Sequence, residues 1–138
     1  MEELVKAYLK DLPEKVDELE HLIESAIHDF SQHEHASLKN LEHFTHTLAG
    51  SSGTYGFYSL SAACAFLETQ ILNGVFETVS SDQAIKYLRL WLATFLKHYQ
   101  CIQRTKKPEK KGVAKTVEKE LEEITSYLGE LSSVKKAV

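Results

Sequence analysis

The sequence predicts an all-α fold: an antiparallel up-down-up-down four-helix bundle with a short N-terminal helix and an extra C-terminal amphipathic helix. Three observations carry this prediction. Two prolines and six glycines in 138 residues leave little turn punctuation. Leu, Glu, Lys and Ala are plentiful while β-branched runs are scarce, which disfavours a β-sandwich or a βαβ array. Apolar residues recur at spacings of three and four, the period of a helix face, and short connections between such helices force antiparallel neighbours.

Leu4, Val5, Tyr8 and Leu9 predict an opening helix that stops before Pro13, because the residue preceding a proline is pushed out of the helical region. Pro13 suits the first turn of a second helix, Pro13 to Phe30, with Val16, Leu19, Leu22, Ile23, Ala26, Ile27 and Phe30 on one face. The polar stretch 31–35 reads as a loop. A third helix runs from Ser37 to Ser52. The turn Gly53-Thr54-Tyr55-Gly56 separates it from a fourth, Tyr58 to Asn73, which Asn73-Gly74 stops. Ser81 or Asp82 caps a fifth, carrying Ile85, Leu88, Leu92, Phe95, Leu96 and Tyr99 to Arg104. Residues 1–105 thus make a bundle. Residues 106–112, Lys-Lys-Pro-Glu-Lys-Lys-Gly, offer nothing to a core and read as an exposed basic linker. Over 113–138, Val113, Val117, Leu121, Ile124, Leu128, Leu131 and Val138 trace an apolar stripe close to a heptad seam, expected to pack on the bundle or to pair with a second copy in a homodimer.

The net charge of −4 is unevenly spread. Residues 1–105 hold eight Lys and Arg against fourteen Asp and Glu, whereas 106–138 hold eight Lys against six Glu. An acidic body excludes nucleic acid, whose phosphates need a basic face, and leaves a protein as the expected partner. No stretch of about 18 apolar residues is present, so no membrane partner is expected. The start Met1-Glu2-Glu3 is acidic, unlike a signal peptide, and the expectation is a cytoplasmic protein. Cys64 and Cys101 both lie in apolar helical patterns and read as buried free thiols.

One histidine is turned outwards by its helix. With Leu41 at 0°, Leu38, Phe44, Thr45 and Leu48 fall within about 60° of it and define the buried face of the third helix. His46 falls at about 140°, beside Lys39 at about 160° and Gly50 at about 180°. His43, at about 200°, is exposed too, but its i+4 neighbour is Thr47. A glycine inside a helix costs roughly 1 kcal/mol relative to alanine, so Gly50, one turn after an exposed histidine, asks for a reason. Access is one: a missing side chain at i+4 opens the imidazole edge to a phosphoryl group or to a partner's active site. The plainer alternative is that Gly50 begins to end the helix. A neutral imidazole is a competent phosphoryl nucleophile near neutral pH. The chain has no P-loop and no acidic motif for magnesium, so those parts of phosphoryl transfer would come from a partner.

Seven histidines also invite a metal reading, above all His33-x-His35 followed by His43-x-x-His46. Against it, the two pairs lie in different segments and no cysteine joins them. His21, His28 and His98 are isolated and read as solvated or rim residues. A third reading is a plain helical adaptor that recruits a partner through the C-terminal stripe.

The run His46-Thr47-Leu48-Ala49-Gly50-Ser51-Ser52-Gly53-Thr54-Tyr55-Gly56, with Leu60 and Leu67-Glu68 downstream, resembles the signature of histidine-containing phosphotransfer (HPt) domains. The resemblance covers about residues 8–104. It implies an antiparallel four-helix bundle with a phosphorylated histidine exposed mid-helix, here His46. It also implies a carrier in two-component phosphorelay signalling that takes phosphoryl groups from a histidine kinase or relays them between aspartates of receiver domains. Such a carrier is not itself an enzyme, and no cofactor is expected. The family's usual lysine three residues after the histidine is Ala49 here. Lys39, on the same face a turn or two away, offers a partial substitute. His46 and Glu68 lie equally far from Phe57 at the turn, so an antiparallel hairpin sets them level, and Glu68 lies at the edge of the core stripe, about 80° from Leu60. A carboxylate there can accept the Nδ1 proton and leave Nε2 free for attack, and the resemblance implies a carboxylate or amide partner at this position. The expected site is therefore His46 as phosphoacceptor and Glu68 as its orienting group, flanked by Lys39, His43, Ala49 and Gly50.

Overall fold

The computed structural model describes residues 2–137, with side chains described through Ser126. Five α-helices follow one another: α1 (Glu2–Ser31), α2 (Leu38–Thr54), α3 (Tyr58–Leu72), α4 (Ser81–Thr105) and α5 (Val113–Ala137), with one 3-10 turn at Val75–Glu77. The described residues contain no strand. α1 to α4 form the antiparallel bundle: α1 packs on α2 and α4, α2 on α3, and α3 on α4. Leu19, Ile23, Leu41, Leu60, Leu67, Leu88, Trp91 and Phe95 are fully buried at its centre. Trp91 Nε1 donates to the carbonyl of Ala63 at 2.9 Å, which satisfies the one polar atom that this large side chain carries inward.

Several boundaries differ from the sequence reading, each for a tertiary reason. No break precedes Pro13: α1 runs through it as one helix of 30 residues. Tyr8, Leu12, Val16, Leu19 and Ile23 continue a single buried stripe across the proline. Tyr8 stacks on Tyr55 with ring centroids 4.7 Å apart, and its hydroxyl bonds to Ser51 Oγ and Ser52 Oγ at 2.9 and 2.8 Å. Burial of roughly 1.5–3 kcal/mol per large side chain, added for Tyr8 and Leu12, offsets the ~3 kcal/mol of an internal proline. α2 does not stop at Ser52 but carries Gly53 and Thr54 as well. α3 crosses Gly53 closely, which leaves little room for a side chain: a Cβ there would stand 3.0 Å from Ser61 Oγ. The true turn residue is Gly56, at φ +85°. The cap of α4 is Ser80 rather than Ser81 or Asp82, because Ser80 and Gln83 form a reciprocal capping box. Cys64 is buried as expected, but Cys101 is exposed: it falls about 200° from Tyr99, away from the stripe of Phe95, Tyr99 and Ile102.

The lysines of 106–112 are exposed, yet the segment is fastened to the turn between α2 and α3. The Glu109 amide donates to the Gly56 carbonyl at 2.8 Å, and Pro108 lies against Gly56, where a Cβ would come within 2.9 Å. Glu109 Oε1 accepts from both the amide and the hydroxyl of Ser59, at 2.9 and 2.8 Å. Phe57, at the N-cap of α3, has no side-chain oxygen, and Glu109 supplies the missing acceptor from fifty residues away. Losing such a cap costs ~1 kcal/mol, so Glu109→Ala should lower the thermal midpoint by a few degrees. A midpoint equal to that of the parent in a calorimetric scan would remove this role.

Beyond that anchor, α5 lies against α3 and α4 with Val117 and Leu121 fully buried and Val113, Ala114 and Ile124 partly so. Of the two readings for His98, solvated or rim, the structure gives the rim: its side chain is 12% exposed, and Nε2 lies 2.9 Å from Glu120 Oε1, while the other oxygen of Glu120 takes Lys97. Burial works against the Glu120 carboxylate, but the hydrogen bonds from Lys97 and His98 prevail and hold its pKa below the ordinary carboxylate range. The described part of the seam, through Leu121, thus faces the chain's own bundle. Leu128, Leu131 and Val138 lie outside the described side chains.

Candidate functional site

The site is built on the α2–α3 hairpin. Leu41, Thr45, Leu48 and Ser52 turn one face of α2 into the core, which leaves His46 on the outer face with 71% of its side chain exposed. The hairpin is held by its turn at Gly56 and by Ser61 Oγ, which donates to the Ala49 carbonyl at 2.7 Å. That contact fixes the sliding register of the two helices one turn above the histidine. In this register Glu68 comes level with His46, and Nδ1 lies 2.6 Å from Glu68 Oε2.

The electrostatics of the pair follow from unequal exposure. Glu68 is only 17% exposed, held at the edge of the core beside Leu67, while the imidazole projects into solvent. A carboxylate facing Nδ1 makes that nitrogen the proton carrier, so the Nε2 lone pair points outward. Nε2 has no hydrogen bond among the described residues. One turn on, a Cβ placed on Gly50 would meet nothing within 4 Å, so no packing among the described residues requires glycine there. α2 continues past it to Thr54, so Gly50 does not end the helix either. The space it leaves is open to whatever approaches Nε2.

The remaining expected residues are distributed less tightly. Lys39 is exposed at the start of α2, seven residues before His46 and so about 10 Å along the axis. His43 is exposed one turn before His46, and its carbonyl accepts from Thr47 Oγ1 at 3.2 Å. Ala49 is half-buried and packs against the core at the α2–α3 seam. The structure therefore joins His46, Glu68 and Gly50 into one arrangement, with His43 beside it and Lys39 at a distance. Cys64, one turn before Glu68, is buried; burial, helped by the Glu68 charge, pushes its thiol far above the ordinary range, so it offers no second nucleophile. Among the described residues no three His, Cys, Asp or Glu side chains converge as a metal site. His33 bonds to Ser81 Oγ at 3.3 Å and His35 meets the edge of Phe30.

Sequence reasoning missed Ser61 and Glu109, which set the hairpin geometry. Neither carries a motif, and a serine contact to a carbonyl twelve residues away leaves no periodic trace.

The family model of the Hpt domain matches residues 3–97 of the chain, which takes in α1 to α3 and most of α4 and stops short of α5. No curated protein and no solved structure matches the chain. Among the described residues no helix is long and apolar enough to cross a membrane.

Proposed function

We propose, from the premise that the chain belongs to the Hpt domain family, that His46 is its phosphoacceptor and that Glu68 positions it. Membership implies histidine phosphotransfer in a two-component phosphorelay, with receiver domains as partners and a carrier's role rather than a catalyst's. The observation that supports the finer reading is the pairing of an exposed imidazole with a largely sheltered carboxylate at 2.6 Å, next to a glycine that no packing among the described residues requires.

The chemistry this arrangement favours is an in-line displacement at phosphorus. The Nε2 lone pair of neutral His46 attacks the phosphoryl group of a receiver aspartyl phosphate. The P–Nε2 bond forms, the P–O bond to the aspartate breaks, and the aspartate leaves as a free carboxylate. The Nδ1 proton stays on the ring, which gains positive charge as phosphorus binds, and Glu68 opposes that charge. Running the steps backwards returns the group to another aspartate. The divalent cation and the cationic groups of phosphoryl transfer belong to the receiver, and the setting is cytoplasmic.

The test is incubation with phosphorylated receiver domains and magnesium, followed by a search for an acid-labile, alkali-stable adduct on this chain. Absence of any such adduct across a panel of receivers would refute the proposal. Within it, Glu68→Ala should slow labelling by roughly ten- to a hundredfold, as expected for loss of one charged hydrogen bond of ~1.5–3 kcal/mol, without unfolding the bundle. An unchanged rate would leave Glu68 an ordinary surface acid. Gly50 supplies a test of opposite sign. Gly50→Ala should stabilise the protein by up to ~1 kcal/mol, because the site is sterically open and alanine is the better helix former. Gly50→Leu should stay folded but lose transfer from receiver domains, and retention of full transfer would separate the glycine from access.

A further inference from the structure

One end of the bundle is charged oppositely to the rest. It is made by the start of α1, the turn between α2 and α3, and the close of α4 with the linker after it. Here, over residues 1–13, 51–61 and 99–112, seven Lys and Arg stand against four acids. Over the remainder of the bundle, residues 14–50 and 62–98, five stand against eleven. α5 starts from the same end and brings Lys115 to it ahead of its first acid, Glu118.

Two grooves open at this basic end. The larger, about 470 Å3, runs between α1 and α4, with walls of Leu9, Pro13, Tyr99 and Ile102 and with Lys6, Lys10 and Lys106 around them. The second, about 390 Å3, lies between α1 and the fastened linker, walled by Val5, Tyr55, Tyr58 and Pro108 and edged by Lys107 and Glu2. Lys6 and Lys106 line both, so the grooves adjoin. Lys106 closes α4 in the left-handed conformation, at φ +54°, where glycine or asparagine is the usual residue. A cation thus stands between the grooves at a position whose backbone favours a neutral one.

The acids of this end are accounted for. No acid lines the larger groove, and Asp11 lines neither. Glu109 is taken by Ser59, and Glu3 lies 4.0 Å from Lys6. Lys10, Lys106 and Lys107 have no carboxylate partner among the described residues. Towards the middle of the bundle the sign reverses: the charges of Asp17 and Glu20 act on the Tyr99 hydroxyl, which accepts from Gln103 Nε2 at 2.8 Å.

We infer that this end of the bundle docks an acidic amphipathic segment of a partner protein, its apolar side chains entering the two grooves and its carboxylates meeting Lys6, Lys10, Lys106 and Lys107. The grooves accompany α1 from Glu2 to Pro13, about 16 Å or three turns, which is room for helical anchors at i, i+3 or i+4, and i+7. Concave walls receive side chains, whereas a lipid surface asks for apolar residues that protrude. Nucleic acid would carry its phosphates on across the acidic remainder. That remainder also repels an acidic partner everywhere but here, which directs it to this end. The α1–α4 edge lies across the bundle from the α2–α3 edge that holds His46 and Glu68, since α1 and α3 each pack on α2 and α4. Thr54, the lining residue of α2 nearest in sequence to His46, is eight residues beyond it, about 12 Å along the axis. A docked segment therefore leaves Nε2 free, and the surface tethers the chain while another domain works at His46. The inference rests on the fold and its charges, independently of the phosphotransfer reading.

The experiment titrates the full chain with a fluorescent peptide of two heptads, leucine on one face and glutamate on the other, and follows anisotropy. Saturable binding is expected near 50 mM salt, weakened by about fivefold or more near 0.5 M, where screening is short-ranged (~4–5 Å). The peptide with lysine for glutamate should not bind, and that with serine for leucine should bind roughly tenfold more weakly. In the chain, Lys6→Glu combined with Lys10→Glu should weaken binding roughly five- to tenfold at low salt. Gln103→Trp, which fills the larger groove, should weaken it at every salt concentration. Both variants should keep the parent's melting midpoint and its labelling by phosphoramidate, a small donor that transfers its phosphoryl group to the histidine nitrogen and leaves as ammonia. Absence of saturable binding by the acidic peptide, equal binding of the lysine peptide, or unchanged affinity in both variants would overturn the docking site. Tighter association with vesicles of phosphatidylserine and phosphatidylcholine than with the peptide, lost in the lysine variant, would overturn it in favour of a lipid surface. Slower transfer from a receiver domain with the peptide bound would overturn the separation from His46. The binding measurements decide the docking site even in a chain that no donor labels, a result that would refute the phosphotransfer reading alone.

Discussion

In a His46→Gln variant, phosphoryl labelling by receiver domains and by phosphoramidate should fall to background while helicity and melting midpoint stay close to those of the parent. Glutamine keeps a polar group that can donate to Glu68 but has no nitrogen lone pair able to attack phosphorus, since its amide nitrogen is conjugated with the carbonyl. The stability cost is small because the imidazole is 71% exposed, and substitutions at such positions usually stay within about 0.5 kcal/mol. The neighbouring histidine is the control. His43 is equally outward on α2, yet among the described residues it has no carboxylate partner, and the residue one turn on is Thr47. His43→Gln should therefore label at the parent rate or near it. Labelling that survives in His46→Gln and disappears in His43→Gln would reverse the assignment.

The second large effect is on stability. A chain ending at Thr105 loses α5 and the linker anchor together. Val117 and Leu121 are fully buried, and at roughly 1.5–3 kcal/mol each they contribute about 3–6 kcal/mol before Glu109 and the Glu120 pair are considered. For a domain of this size a loss of that order lowers the midpoint by roughly 10 °C or more. Below its new midpoint the shortened protein should still label with phosphoramidate, because His46, Glu68 and Gly50 all lie on α2 and α3. A calorimetric midpoint equal to that of the full chain would show that α5 packs without stabilising. Loss of phosphoramidate labelling in a folded, shortened chain would place α5 in the chemistry itself.

Much of this molecule was decided locally. The 3.6-residue spacing of apolar residues dictates an all-helical chain, and the same spacing puts His46 outside and Leu41, Thr45 and Leu48 inside, because a helix face is an angular property that needs only one stretch of sequence to read. Equal distances from Phe57 likewise bring Glu68 to the level of His46, since an antiparallel hairpin mirrors its own numbering about the turn. The motif from His46 to Gly56 identified the family from the residues alone, and the match over 3–97 agrees with it.

Tertiary structure decided what depends on contacts between distant segments. Pro13 reads locally as a boundary between two helices, and α1 passes through it because Tyr8 and Leu12 have α2 and the core to pack against. Gly53 reads as the start of a turn but lies within α2, at the point where Ser61 of α3 crosses and leaves little room for a side chain. His98 reads as an isolated surface histidine and is covered because Glu120 of α5 meets it. The linker looked free because lysines offer nothing to a core, while its one acid found the uncapped end of α3 fifty residues back. Local periodicity specifies the direction of a side chain around its own axis; which helix, cap or carboxylate meets it there is set by long-range packing, whose energy is shared among residues that no short window contains together.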